Sequence, residues 1–293
     1  MASIHPFKGS VLSSTLCELG EGASFEAETN TLWWCNILGK EIYSLELSSG
    51  TQSAFSLPVM ASVVARIDSG RQLIASDKGL FIRNRATGEL TPHGEIEPGR
   101  DGNRSNDGRM HASGSLWIGT MGRTAADGAG AIYHVARGVV TKLFDTVSIP
   151  NSICFSPDAA TAYFVDTRAN KMMTVAVDPA TGLPSGKPTL FIDGSADAGG
   201  IDGSICDADG HIWNARWGEA ALDHYSADGS FIQRYQLPAK RTTCPAFIDN
   251  GRIAVTSAWE GLDEASRTAD PMAGATFVLD VGAKAKYDPA YLP

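Results

Sequence analysis

Short apolar runs separated by turn residues recur along the whole chain. The runs are rich in β-branched and aromatic residues, Gly, Asp, Asn, Ser and Pro lie between them, and no long stretch keeps apolar residues at helical spacing. This pattern predicts an all-β fold. The clearest predicted strands are residues 31–37, 71–77, 115–121, 161–167, 211–217 and 251–257.

The predicted strands repeat at a regular interval. They recur about every 40 to 50 residues, and a second β run with a turn signature follows each of them. Six such units predict a six-bladed β-propeller, in which four-stranded blades pack side by side around an axis. We expect residues 1–293 to form a single propeller domain, with the segment before Glu21 completing the last blade.

Four polar residues occupy equivalent positions in different units of this repeat, that is, they share one phase of the repeat. Residues at the same phase of different blades lie at the same height and radius, so their side chains should converge on the axis. Two carboxylates and two amide groups meeting there would form a metal site in a central channel. Each of the four precedes an aromatic residue by eleven or twelve positions: Glu21 and Trp33, Asn106 and Trp117, Asn151 and Tyr163, Asp202 and Trp213.

Each of these residues also has a simpler interpretation when taken alone. Glu21, between glycines, could be an exposed turn carboxylate, and Asn151 and Asp202 could belong to ordinary turns. The shared phase favours a metal site. Its oxygen ligands suit Ca²⁺, Mg²⁺ or Mn²⁺ best. Zn²⁺ or Fe²⁺ is a further alternative, because carboxylates can also bind these ions. The six histidines lack a metalloprotease spacing, and we interpret them as structural or surface residues.

The segment NRSNDG at 103–108 brings further polar side chains to the same mouth. Arg104, Asn106 and Asp107 would form a hydrogen-bonding set for vicinal hydroxyls or a carbonyl oxygen, and the alternative is a polar loop with an Asx turn. Additional candidates at the rim are Arg123, Arg216, Trp217 and Trp259.

Composition narrows the class of partner. A net charge of -9 and a pI of about 5.1 argue against nucleic acid and suit a small neutral molecule or a cation. The five cysteines form no C-x-x-C pair, so we expect reduced, buried thiols. Neither a secretory signal nor a membrane-spanning run is evident. We therefore expect a cytoplasmic protein, as a monomer or small homo-oligomer.

Several short motifs, in order and at blade spacing, resemble the SMP-30/gluconolactonase/regucalcin-like family. They are LGEG, NDG followed by GTM, PNS followed by FVDT, IDG followed by Trp, and VTSA. The resemblance implies a six-bladed propeller with one divalent cation in its channel and, for most members, hydrolysis of sugar lactones. It implies that Glu21, Asn151 and Asp202 are the metal ligands, and that Arg104 and Asn106 contact the substrate.

Two positions depart from the family pattern. Asn36 stands where Asp is common, and we expect no direct contact with the metal there. Gly122 and Arg123 stand where some members carry a Glu after GTM. The second change replaces an acceptor with a donor and leaves the recognised sugar hydroxyls open.

The expected activity is therefore metal-dependent hydrolysis of a sugar lactone to the aldonic acid. Asp202 would act as both ligand and base, and Arg104 and Asn106 would hold the lactone. The cation could be Ca²⁺, Zn²⁺, Mn²⁺ or Mg²⁺. Three alternatives remain: a metal-dependent esterase or phosphotriesterase, a non-catalytic calcium-binding protein, and a peptide-binding scaffold propeller.

Overall fold

The computed structural model describes residues 3–249 and 251–293, in which 25 strands and one short helix occur. The elements, in chain order, are β1 (Ser3–His5), β2 (Ser10–Ser13), β3 (Gly20–Glu26), β4 (Thr31–Asn36), β5 (Glu41–Glu46), β6 (Thr51–Ser56), β7 (Ala61–Arg66), β8 (Arg71–Ser76), β9 (Gly79–Asn84), β10 (Leu90–Gly94), β11 (Asn103–Met110), β12 (Leu116–Gly122), β13 (Gly130–Ala136), β14 (Val139–Val147), β15 (Pro150–Phe155), β16 (Thr161–Asp166), β17 (Lys171–Ala176), β18 (Thr189–Asp193), β19 (Gly200–Cys206), β20 (Ile212–Trp217), β21 (Ala221–Tyr225), β22 (Phe231–Gln236), β23 (Thr242–Phe247), β24 (Gly251–Ser257), α1 (Glu264–Ala269) and β25 (Thr276–Ala283).

These strands form six sheets, which are the blades of a propeller. Blades 1 to 4 are β3–β6, β7–β10, β11–β14 and β15–β18, blade 5 contains β19–β22, and blade 6 contains β23–β25. Every strand predicted most clearly from the sequence is the second strand of its blade. The all-β, six-bladed prediction is therefore confirmed.

The ring closes through both the N-terminal strands and the innermost strands. β2 pairs antiparallel with β25 and completes blade 6, as expected from the sequence. β1 pairs parallel with β22 as a fifth strand of blade 5, which was not predicted. The innermost strand β3 contacts both β7 and β23, so the first and last blades are neighbours.

Burial explains why the second strand of a blade has a nearly continuous apolar sequence. Every residue of β4 and β12 is buried, whereas the outermost strand β6 is mostly exposed. The middle strands are covered on both faces by adjacent blades. Trp117 of blade 3, for example, meets Phe155 of blade 4 edge to face, with ring centroids 5.5 Å apart.

A break in register occurs in the innermost strand of every blade. A bulge of this kind adds a residue to one strand and redirects the side chains beside it. Because the breaks recur at one level, they bring polar side chains to the axis in several blades. The breaks lie between Glu21 and Ser24, Ala61 and Val63, Ser105 and Gly108, Asn151 and Cys154, Ile201 and Ser204, and Thr242 and Pro245.

The propeller has two unlike ends. At the upper end, the inner strands begin; at the lower end, they finish, and the C-terminal residues 284–293 run across it. Tyr291 is fully buried there, and its hydroxyl accepts a hydrogen bond from the Gly138 amide at 2.9 Å. The amides of Tyr291 and Leu292 donate to the carbonyls of Arg66 and Gly114. The C-terminal segment therefore covers the lower end.

Two further expectations bear on the environment of the protein. All five cysteines are buried free thiols, as predicted. In the described part of the chain, no helix has the length and apolar character needed to cross a membrane.

Candidate metal centre and substrate site

Three carboxylates are buried near the upper end of the propeller. Glu21, Asp107 and Asp202 lie on the inner strands β3, β11 and β19. Burial, with the charge of Asp107 adding to it, raises the pKa of Glu21 to about 8. Burial and the Glu21 charge raise the pKa of Asp202, and burial raises that of Asp107. The structure thus brings Glu21 and Asp202 within electrostatic reach of each other, as the repeat phase predicted.

These acids have cationic neighbours, Arg104 near Glu21 and Arg109 near Asp107, but form no direct ion pair among the described residues. Among the described residues, no Lys or Arg nitrogen lies within 4.0 Å of any of the three carboxylates. Glu21 accepts a hydrogen bond from the Gly22 amide at 3.2 Å, and Asp107 accepts one from the Ile153 amide at 2.7 Å. Buried anions without a counter-charge are unfavourable. The arrangement therefore fits a bound cation, and its all-oxygen donor set fits a hard divalent ion.

Asn151 is oriented by hydrogen bonds on both sides. Asn106 donates from Nδ2 to the Asn151 Oδ1 at 2.8 Å and to the Pro150 carbonyl at 3.0 Å. The Asn151 Nδ2 donates to the Thr167 hydroxyl at 3.0 Å, and that hydroxyl donates to the Ile201 carbonyl at 2.7 Å. The Asn151 oxygen is therefore fixed toward Asn106. Sequence reasoning missed the role of Thr167, although it ends the FVDT motif.

Arg104 joins the same hydrogen-bond chain. Its Nη1 donates to the Asn106 Oδ1 at 2.7 Å and to the Ser105 carbonyl at 3.0 Å. Its Nε and Nη2 groups have no protein acceptor among the described residues. Burial lowers the pKa of Arg104, and the carboxylate of Glu260 opposes this shift. The predicted substrate residues Arg104 and Asn106 thus contact each other and adjoin the predicted ligand Asn151.

Glu260 is a second neighbour that the sequence did not reveal. It follows β24 at the upper end, where its amide donates to the Glu18 carbonyl at 2.8 Å. Its negative charge further raises the pKa values of Glu21 and Asp202. The sequence offered no signal for it beyond its position after VTSA.

A polar cavity of about 230 Å³ opens beside Arg104, between blades 2 and 3. It gives a small polar molecule room next to the guanidinium. Its lining includes Asp77, Glu97, Asp101, Arg104, Ser105 and Thr120.

The rim candidates are engaged in structural contacts instead. Arg123 donates from Nη2 to Asp77 at 2.7 Å and from Nε to the Asp101 carbonyl at 3.0 Å. Arg216 is fully buried and forms an ion pair with Glu219 at 3.0 Å. The two tryptophans face other cations: Trp217 is covered by Arg241 and Trp259 by Arg267.

Asn36, the first departure from the family pattern, lies behind the ligand strand. Its Oδ1 accepts a hydrogen bond from the Leu19 amide at 3.2 Å, and its Nδ2 donates to Glu41 at 3.3 Å. It therefore holds the chain two residues before Glu21, and its side chain is not part of the acidic cluster.

The fold and the site define a class: a six-bladed propeller with a buried cluster of acidic side chains on its innermost strands. Residues 19–259 match the family described as the SMP-30/Gluconolactonase/LRE-like region, and the chain belongs to this family.

Relatives extend this match over almost the whole chain. The chain is 53% identical over 293 residues to a Rhizobium meliloti protein named "Putative sugar lactone lactonase", with 99% of each chain covered. It is 30% identical to the L-arabinolactonase of Azospirillum brasilense, which covers 95% of this chain and 94% of that one. A solved structure of a calcium-binding protein, regucalcin, from Agrobacterium tumefaciens is 56% identical, covers 100% of both chains and superposes with a TM-score of 0.98.

Proposed function

We propose that this protein hydrolyses the ester bond of a sugar lactone in a metal-dependent reaction at the upper end of its channel. The observation that carries the proposal is the buried pair Glu21 and Asp202, which forms no direct ion pair among the described residues and adjoins the chain of Arg104, Asn106 and Asn151. The lactonase names of the relatives support the substrate class.

In this proposal Glu21, Asn151 and Asp202 hold one divalent cation. When bound, the cation supplies positive charge to the carbonyl oxygen of the lactone as a Lewis acid. The oxygen donors favour Ca²⁺, Mg²⁺ or Mn²⁺, with Zn²⁺ as a further candidate. The calcium-binding description of the Agrobacterium protein is consistent with this set.

Arg104 and Asn106 orient the lactone. The two guanidinium nitrogens without a protein acceptor are available to donate to ring hydroxyls or to the developing oxyanion. Because Asn106 is held by Arg104 on one side and Asn151 on the other, the donors are fixed before substrate arrives. The adjoining cavity accepts the remainder of the sugar.

Asp202 serves as the base. A carboxylate oxygen of Asp202 accepts a proton from the attacking water as the water oxygen adds to the carbonyl carbon. The ring C–O bond then breaks, and the proton passes from Asp202 to the ring oxygen, which becomes the hydroxyl of the open-chain acid. Burial and the Glu21 charge raise the pKa of Asp202 in the metal-free protein, and a bound cation would replace that proton and leave the carboxylate able to accept one from water.

The test is a lactonase assay on metal-free protein that has been re-supplied with single divalent cations. Five- and six-membered aldonolactones are compared by pH indicator, with spontaneous hydrolysis subtracted. For Asp202→Asn we expect a loss of about 10³-fold in kcat at saturating metal, because Asn keeps a ligand oxygen but cannot accept the proton.

Asp145→Asn is the matched control, since Asp145 is an exposed carboxylate on β14, and it should keep full activity. Full activity of Asp202→Asn would contradict the proposed base. Tight metal binding without hydrolysis of any lactone would instead favour a non-catalytic calcium-binding protein.

A further inference from the structure

A second group of potential metal ligands lies at the lower face of blade 5. Asp207 begins the turn between β19 and β20, His211 ends that turn, and His224 lies near the lower end of β21. Asp207 is five residues beyond Asp202 along the chain, which at about 3.3 Å per strand residue places it roughly 16 Å from the upper acidic cluster. The two groups are therefore separate.

The ligand atoms of this group converge. One atom each from Asp207, His211 and His224 lie within 4.8 Å of one another. The His211 Nδ1 and the His224 Nε2 are 3.0 Å apart. Two imidazole nitrogens on a tetrahedral zinc ion are about 3.3 Å apart, given Zn–N bonds of about 2.05 Å. A shift of a few tenths of an ångström would thus admit an ion between them.

Two of the three ligands are held in place by Trp213. Its indole Nε1 donates to the Asp207 Oδ2 at 2.9 Å, and its ring stacks on His224 with centroids 3.8 Å apart and planes inclined by 8°. The other Asp207 oxygen accepts the amides of Asp209 and His211 at 3.0 and 2.9 Å. Outer contacts of this kind fix the direction of a carboxylate and an imidazole before a metal binds.

The far side of His224 can adapt to the metal-bound form. The Gln233 amide nitrogen lies 3.4 Å from the His224 Nδ1, and its oxygen lies 3.1 Å from the His5 Nε2. A metal on the Nε2 of His224 puts the ring proton on Nδ1, which then needs an acceptor. If the Gln233 side-chain amide is rotated by 180°, its oxygen can accept the proton of the His224 Nδ1 and its NH₂ group can donate to His5.

Protonation and access also suit a metal. Burial, with the neighbouring His211 adding to it, lowers the pKa of His224 to about 4, so this imidazole is neutral at physiological pH. A neutral imidazole is the form that binds metals. His211 is half-buried, and solvent reaches the group through it.

We propose that Asp207, His211 and His224 form a second metal site, for a borderline divalent ion such as Zn²⁺, Co²⁺ or Ni²⁺, with solvent completing the coordination. Two imidazoles and one carboxylate select such ions, whereas the oxygen-only upper site favours hard ions. Because the ligands join the β19–β20 turn to β21, the bound ion cross-links three strands of blade 5 and stabilises the folded state by mass action.

The test measures binding of Zn²⁺ and Co²⁺ to metal-free protein in the presence of excess Mg²⁺, which competes for the upper site. We expect wild type to bind one equivalent of Zn²⁺ by calorimetry and to give a Co²⁺ absorption band indicating nitrogen ligation. His211→Gln and His224→Gln should each weaken Zn²⁺ binding by at least about tenfold. His5→Gln is the matched control, because it alters the outer network without removing a ligand, and it should keep the stoichiometry.

Two further measurements separate binding from folding. Zn²⁺ should raise the Tm of wild type and of His5→Gln but not of His211→Gln, and near-ultraviolet circular dichroism of the metal-free variants should match wild type. The titration is repeated in Asp202→Asn, where the lower site should persist. Absence of Zn²⁺ and Co²⁺ binding, or unchanged affinity in both ligand variants, would overturn the proposal.

Discussion

Buried charged side chains are paired differently at the two ends of the propeller. At the upper end, Glu21, Asp107 and Asp202 are buried with no cationic nitrogen within 4.0 Å in the described chain. At the lower end, Arg109 is buried on the same strand as Asp107, and its Nη1 is paired with Asp288 of the C-terminal segment at 2.9 Å. The lower end thus holds its buried charge in a direct ion pair, whereas the upper carboxylates interact with Arg104 and Arg109 only beyond ion-pair distance.

In our proposal, this difference separates the part of the molecule that stabilises the fold from the part that would bind ligands. The Arg109–Asp288 pair and the buried Tyr291 attach the C-terminal segment across the lower end. In our proposal the upper acids instead reduce stability as long as no cation is bound, and proteins retain such groups where function requires them. Substitutions at the two ends should therefore change stability in opposite directions.

The largest stability effect should come from the lower end. Asp288→Ala leaves the Arg109 cation buried without its partner, and we expect the free energy of unfolding to fall by about 2–3 kcal/mol in urea denaturation. Glu28→Ala is the matched control: its partner Arg66 lies 3.1 Å away, but both side chains are substantially exposed. That change should cost less than about 1 kcal/mol. Equal losses in the two variants would contradict the assignment of the lower pair as a stabilising contact.

The sequence could not have predicted this lower pair. Arg109 and Asp288 are 179 positions apart, and neither lies in a repeated motif. The same holds for β1, which was expected to complete the last blade with the rest of the segment before Glu21 and instead joins blade 5. The six blades were predictable because each repeats a local pattern of strand and turn, whereas these contacts depend on where the chain passes after the ring has closed.

The candidate site was predictable to the extent that it follows the repeat. The shared phase identified Glu21, Asn106, Asn151 and Asp202, and the structure places all four near the upper end, where the inner strands bulge. That they bind a metal stays a prediction. Thr167 and Glu260 were missed because they act from connecting segments outside that phase, and their contacts depend on the packing of adjacent blades.

A smaller effect of opposite sign is expected at the upper end. In metal-free protein at pH 8, Glu21→Gln removes a buried carboxylate that repels Asp107 and Asp202, so the free energy of unfolding should rise by on the order of 1 kcal/mol. The same variant should lose lactonase activity because a ligand charge is gone. If the metal-free variant were instead less stable than wild type, the negative charge of the upper acids would already be balanced within the protein.

The pH dependence sharpens this expectation. The pKa of Glu21 is about 8 in the folded protein against 4.5 as its ordinary value, so the folded state binds more protons between these limits. Stability linked to Glu21 is therefore fully present below about pH 4.5 and is lost as pH rises to about 8. The Tm of metal-free wild type should fall over this range, and the fall should be shallower in Glu21→Gln. Saturating metal should also reduce it, since the cation replaces the proton.

The smallest effect on activity and stability is expected from substituting Arg123. This residue lies at the upper end, but it forms an ion pair with Asp77, as Arg109 does with Asp288 at the lower end. The Arg123 guanidinium is held by the Asp77 carboxylate and the Asp101 carbonyl. Arg123→Gln should change KM for the best lactone by no more than about twofold and stability by about 0.5 kcal/mol. Arg104→Gln, which removes charged donors that lack a protein acceptor, should raise KM by about tenfold or more. Comparable KM changes in the two variants would indicate that Arg123 contacts the substrate. In that case, an ion pair with a carboxylate would not mark a charged residue at this end as purely structural.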